Sequence, residues 1–234
     1  MLTWIRFPPG SQLDDPVQSL AELQPRHEAY LAEAVRLREA YKGQIHILVG
    51  FEAEWLGRGR EEEYAAYIRR LAEDPRVDYF IGSVHHLDGY PIDLDKASYA
   101  TAVASTCRTG SASTAVESAQ PTEAQEEAFF EAYYDRHYDM LVALQPRVIG
   151  HFDLVRLLSA EPGRDIEAWT GVWSRIERNL EFIHGYGGWL ECNTSALRKG
   201  LAEPYPGRAI AEVCRRYCFQ SFRRRCVLDE HVLD

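Results

Sequence analysis

The chain has no apolar run approaching the roughly 20 residues that a membrane-spanning helix needs. Nor does it open on a secretory leader, since residues 1–10 hold one arginine, two prolines and no apolar core. A soluble, cytoplasmic protein is expected. The five cysteines, Cys107, Cys192, Cys214, Cys218 and Cys226, include no Cys-x-x-Cys pair, and their odd number does not suit a disulfide framework. Cys214 and Cys218 stand one helical turn apart with Cys226 nearby, but a zinc site there would lack a fourth ligand at standard spacing. Positive charge is short as well. Against 36 Asp and Glu the chain has 26 Lys and Arg, a net charge of −10, which argues against a nucleic-acid groove. A phosphorylated substrate would have to be met by local cations or metal rather than by a global field. No internal repeat is found.

What is present fits one large domain. The 234 residues are 46% hydrophobic, enough for a sizeable core and close to the roughly 250 of an ordinary α/β barrel. Pro8, Pro9, Gly10, Asp14, Asp15 and Pro16 make residues 1–16 an irregular lead-in to a domain over 17–234. Helical periodicity covers 17–41, followed by a buried strand at 45–49, a helix at 61–73 and a strand at 77–84. The Ala-, Ser- and Thr-rich stretch 101–122 reads as a surface insertion. Helices at 123–144, 165–185 and 205–217 then alternate with strands at 148–149 and 188–192. This alternation predicts parallel strands joined by right-handed crossovers.

The most informative stretch is 80–93, Phe-Ile-Gly-Ser-Val-His-His-Leu-Asp-Gly-Tyr-Pro-Ile-Asp. A short apolar strand ends there in His85 and His86, ahead of a turn built from Asp88, Gly89 and Pro91. Two other strands follow the same plan, one running into Glu52 and one into His151 and Asp153. Strand ends are where barrel-like α/β enzymes carry their chemistry. Glu52 and Glu54 lie on one side of their strand, and buried carboxylates are costly unless paired or bound to metal. The plainer reading leaves Glu54 in solvent and Glu52 as a cap. His85 and His86 should face opposite ways, one to the barrel mouth and one to the surrounding shell. His151 and Asp153 share a face, as two ligands, as a ligand with its orienting carboxylate, or as a hydrogen-bonded pair closing the strand. Arg156 puts a cation near the same mouth. Glu191, Cys192, Asn193, Thr194 and Ser195, ahead of Arg198 and Lys199, could cradle a phosphate, although a basic dipeptide is usually solvated surface. Asp229 and His231 place a carboxylate and an imidazole two residues apart, in a tail where fraying is the ordinary reading. His27, His46, His137 and His184 are read as structural or surface residues.

Together, Gly50-Phe51-Glu52, the string 82–86 and the string 150–154 resemble the metal motifs of the polymerase-and-histidinol-phosphatase (PHP) superfamily. Residues 47–55 and 191–199 are similar to its histidinol-phosphate phosphatase branch, with a fungal likeness at 78–96 and 146–159. The resemblance implies a distorted (β/α)7 TIM-like barrel holding two or three divalent ions of Zn, Mn or Fe. It implies hydrolysis of L-histidinol phosphate to L-histidinol and phosphate in histidine biosynthesis. Carried over by position, it makes Glu52, His85 and His151 metal ligands, with Asp229 and His231 as a compressed closing pair. Arg156, Asn193 and Arg198 would touch the substrate or its phosphate, and His86 and Asp153 would stand behind the ligands. No residue is identified as the general acid. The family opens on a His-x-His pair and a Thr-Glu-His string, whereas residues 1–26 contain no histidine. The expectation is therefore an incomplete barrel without its opening strands. An inactive PHP-fold remnant, or a different barrel metallohydrolase, stays open at this point. Arg198 and Lys199 favour a phosphorylated substrate over an amide.

Overall fold

The computed structural model of the chain describes residues 4–5, 20–56, 59, 61–107 and 120–220. In chain order these form β1 (Trp4–Ile5), α1 (Leu20–Ala40), β2 (Gly50–Glu54), α2 (Glu61–Ala72) and β3 (Tyr79–Ser83), then the pair β4 (His86–Leu87) and β5 (Tyr90–Pro91). There follow α3 (Lys96–Thr106), α4 (Glu123–Leu144), β6 (Val148–Ile149), α5 (Thr170–Tyr186), β7 (Trp189–Leu190), α6 (Ser195–Arg198) and α7 (Arg208–Gln220). Strands β1-β2-β3-β6-β7 make one parallel sheet in that order. Parallel neighbours need long crossovers, and helices supply them. Among the described residues β1 and β7 do not pair, so the sheet is open and a barrel is not seen. Closure would need further strands between those two edges.

Local chemistry sets the helices. The first turn of α2 carries Glu61, Glu62 and Glu63 and its last turn Arg69 and Arg70, complementing the helix dipole. A capping box starts α4: the Thr122 hydroxyl accepts from Gln125 N, and the Gln125 side chain accepts from Thr122 N. From there Phe129, Phe130, Tyr133, Tyr134, Met140 and Leu141 line its buried side. They pack with Phe51, Trp55, Phe152 and Ile176 into one apolar core. No helix among the described residues is long and apolar enough to cross a membrane.

Several expected boundaries move. The strand foreseen at 45–49 forms instead at Gly50–Glu54, and Ile45 and Leu48 are 59% and 57% exposed. Asp78 explains the shift: its carboxylate accepts from Val49 N at 2.6 Å and its own N–H donates to Val49 O at 2.8 Å, so the ladder with β3 begins just beyond. Pairing with β3 decided the strand, and apolarity alone did not. The foreseen insertion 101–122 opens as helix, because α3 runs to Thr106 from an Asp95 cap that accepts from Ser98 N. Small residues suffice there, with Tyr99, Ala102 and Val103 as its buried side; residues 108–119 lie outside the described set. Of the lead-in 1–16, the described pair Trp4–Ile5 is a strand. The foreseen helix 165–185 is divided into a 3-10 turn at Ile166–Ala168 and α5, and α7 starts only after Pro206 and Gly207. Asp229 and His231 lie outside the described residues.

Candidate metal centre

Three neighbouring strands bring the site together. Glu52 lies within β2, His85 two residues past β3 and His151 two residues past β6. Glu52 Oε1 stands 3.1 Å from His151 Nε2 and 3.7 Å from His85 Nε2, and the two imidazole centroids are 4.6 Å apart. All three side chains are buried, Glu52 to within 7% exposure. Ser83 Oγ donates to Glu52 Oε1 at 2.7 Å, fixing the carboxylate from the adjoining strand. Gly150 permits the close approach: a Cβ there would lie 2.6 Å from Ser83 Oγ and 2.9 Å from Ile81 Cγ2. His151 follows with φ of 24°, a region that residues other than glycine seldom occupy.

The electrostatics of the cluster follow from burial opposed by close opposite charge. Burial pushes the Glu52 pKa up, but His151, Ser83 and His85 together outweigh it and hold the carboxyl below its usual range. Glu54 behaves alike, with burial overcome by His85 and His86. Burial would lower His85, yet the Glu54 carboxylate raises it, with smaller help from Asp93 and Glu52. The carboxylates are thus kept ionised in a low-dielectric site, where cations are the natural counterpart.

Glu54 is a correction. The solvent-exposed reading fails, since the residue is 6% exposed and sits beneath both histidines. Its Oε1 accepts from His85 N at 3.0 Å and lies 2.9 Å from His86 Nδ1, and its Oε2 meets His85 Nδ1. His85 and His86 therefore converge on one carboxylate instead of parting to opposite sides. The alternation rule stops at Ser83, where β3 ends, and the hairpin of β4 and β5 begins only at His86. Asp153 is buried but does not orient His151: its Oδ2 accepts from Arg156 Nε at 2.7 Å and from Gly207 N at 2.8 Å. Arg156 also donates through Nη2 to the carbonyls of Glu203 and Pro204 at 3.0 and 2.6 Å, and its guanidinium lies 5.2 Å from the centre of the Tyr205 ring. Asn193 donates to Glu191 Oε2 at 3.0 Å and accepts from Ser195 N at 2.9 Å. Arg198 is exposed on α6. Ser83 was not singled out as a site residue, and Glu191 was read only as part of a possible phosphate cradle. The signal for Ser83 lies in the register, which sets it opposite Glu54.

Can the cluster hold a metal? One carboxylate oxygen and two imidazole nitrogens, all mutually within 4.8 Å, make a donor set suited to a divalent ion. Separations of 3.1 and 3.7 Å between donors match ligands sharing one ion at about 2.1 Å. The residues fit. The PHP domain family matches residues 26–195, which include all three. The chain belongs to the PHP domain family. This PHP domain is 32% identical over 211 residues to a protein of Schizosaccharomyces pombe named probable histidinol-phosphatase, a match covering 88% of the chain and 62% of that relative. It is 26% identical over 234 residues to the histidinol-phosphatase of Saccharomyces cerevisiae, covering 89% of the chain and 64% of that relative. The PHP chain thus spans less than two-thirds of the length of these curated relatives. The resemblance drawn from the motifs is borne out.

Proposed function

We propose that the chain is a metal-dependent phosphomonoesterase that hydrolyses L-histidinol phosphate to L-histidinol and phosphate, in cytoplasmic histidine biosynthesis. The observation that carries this reading is the convergence of Glu52, His85 and His151 at three strand ends, within a domain whose relatives are named histidinol-phosphatases. In this reading the open sheet is a sector of a distorted (β/α)7 barrel that takes in Trp4–Ile5 as well as the domain expected over residues 17–234, with the site at the strands' carboxyl ends. Zn, Mn or Fe is the metal, at two or three positions. Bound there, such an ion supplies positive charge to the phosphate oxygens and makes water acidic enough to act as nucleophile near neutral pH.

The chain's own residues hold and orient. Glu52, His85 and His151 are the ligands, joined by Asp229 and His231. His86 stands behind them through Glu54, Asp153 holds Arg156, and Ser83 aims the Glu52 carboxylate. Arg156 and Arg198 present guanidinium groups to the phosphate, and Asn193 borders the substrate. Water adds to phosphorus as the ester P–O bond breaks, and the departing alkoxide takes up a proton. A second reading, an inactive PHP fold keeping one metal site, is favoured by the ligand count, which is three among the described residues.

Metal content per chain, measured with phosphate release from L-histidinol phosphate before and after adding Mn or Zn, separates the two. Turnover that disappears in Glu52→Gln, His85→Ala and His151→Ala supports the enzyme. Bound metal without turnover supports the inactive fold, and an active His85→Ala variant refutes the ligand assignment.

A further inference from the structure

Two carboxylates that the proposed chemistry does not use stand directly behind the two histidines. Glu54, the last residue of β2, accepts the His85 N–H through Oε1 at 3.0 Å and meets His85 Nδ1 with Oε2. Glu191, the first residue past β7, accepts the His151 N–H through Oε2 at 3.0 Å, and Asn193 Nδ2 donates to that same oxygen. The two arrangements share a plan. In each, a carboxylate at the end of one strand grips the main chain of the histidine that follows the neighbouring strand. Since β2 adjoins β3 and β7 adjoins β6, the grips close on the histidine pair from opposite flanks.

We propose that Glu54 and Glu191 are the positioning residues of this metal centre. Glu54 fixes the His85 ring with Nδ1 toward itself and Nε2 toward Glu52, and Glu191 holds the His151 backbone in the turn that carries its ring to Glu52. The proposal rests on the metal reading of the cluster. A neutral imidazole has one N–H and one lone pair, so a carboxylate accepting from Nδ1–H leaves the lone pair on Nε2, where a metal is to be bound. His86 Nδ1, 2.9 Å from Glu54 Oε1, steadies that carboxylate in turn. At His151 the φ of 24° is unfavourable for a residue with a Cβ. The hydrogen bond to Glu191 satisfies the N–H that this turn would otherwise leave unpaired.

The test titrates the whole chain with zinc against a competing chelator. Glu54→Gln and Glu191→Gln should each weaken zinc binding about 10- to 100-fold, the range for outer partners of metal ligands. Thermal unfolding should stay cooperative, and His85→Ala should lose the site. A measurement on the unmutated chain covers the case of variants that do not fold. With 15N-labelled histidine, NMR of the zinc-bound chain should show His85 protonated at Nδ1 alone, with zinc on Nε2. Unchanged affinity in both Gln variants, or zinc on Nδ1, overturns the positioning role and leaves the metal centre standing. An unmutated chain that binds no zinc overturns both.

Discussion

His137 shows how differently one residue type is used within a few side chains. It is fully buried on α4 against Tyr133, Tyr134 and Phe152, and neither ring nitrogen finds a hydrogen bond among the described residues. Burial above all, with His151 and His85 adding to it, pushes its pKa down to about 3. Folding therefore requires the neutral ring, whereas the unfolded chain takes a proton near 6.5. This group costs no stability above about 6.5, and stability falls as pH drops from there toward 3. Urea unfolding of His137→Leu should show a shallower loss between pH 6.5 and 4, with stability at pH 7 changed by less than about 1.5 kcal/mol. An equally steep acid loss in the variant would show that another group controls it. His85, by contrast, has Glu54 against it and is raised instead of lowered. Geometry of the neighbours, and not burial, separates the two.

At the scale of the element, the seam between β3 and β6 is closely constrained. Gly82 and Gly150 both lie in it, and a Cβ at Gly82 would come within 2.7 Å of the Pro146 ring. Replacing Gly150 by Ala should cost about 1–3 kcal/mol, the usual price of overpacking. It should also weaken metal binding, because the added methyl displaces the Ser83 hydroxyl from Glu52. Denaturant midpoints and zinc titration read the two effects separately; a Gly150→Ala chain with normal zinc affinity would detach Ser83 from the site. Helix α4 depends on its first turn in a more ordinary way. Thr122→Ala removes the hydroxyl half of the capping box and should lower stability by about 1 kcal/mol. Thermal melts should show that loss with metal binding intact, since Thr122 does not contact the cluster.

For the whole molecule, binding an ion at the junction of β2, β3 and β6 ties three strands together. A ligand that binds only the folded chain stabilises it by mass action, about 2.7 kcal/mol at a hundred times its Kd. Calorimetry should show Tm rising with added Zn or Mn and falling back after chelation. A Tm indifferent to both would mean that Glu52, His85 and His151 hold no ion. The same linkage should be absent in Glu52→Gln. Nothing in this depends on closing the sheet, because Glu52, His85 and His151 come from three strands that already pair side by side.

Reading the residues in order brought out the strand ends that carry Glu52, His85 and His151, and the family resemblance chose these three among their neighbours. Each stands at or just past a short apolar strand, a local pattern that needs no knowledge of neighbours. Helix α4 was legible for the same reason, since its periodicity and its Thr-x-x-Gln start are both local. Which groups meet was not legible. The register of β2 against β3 sets Glu54 opposite Ser83 and so beneath His85, and the pairing of β6 with β7 brings Glu191 to His151 N. The place of β2 itself, five residues later than its apolar run suggested, was decided by Asp78 holding Val49. Ligand types are a property of side chains and survive in a string of letters. Partners are a property of strand register, and register is set only when the sheet assembles.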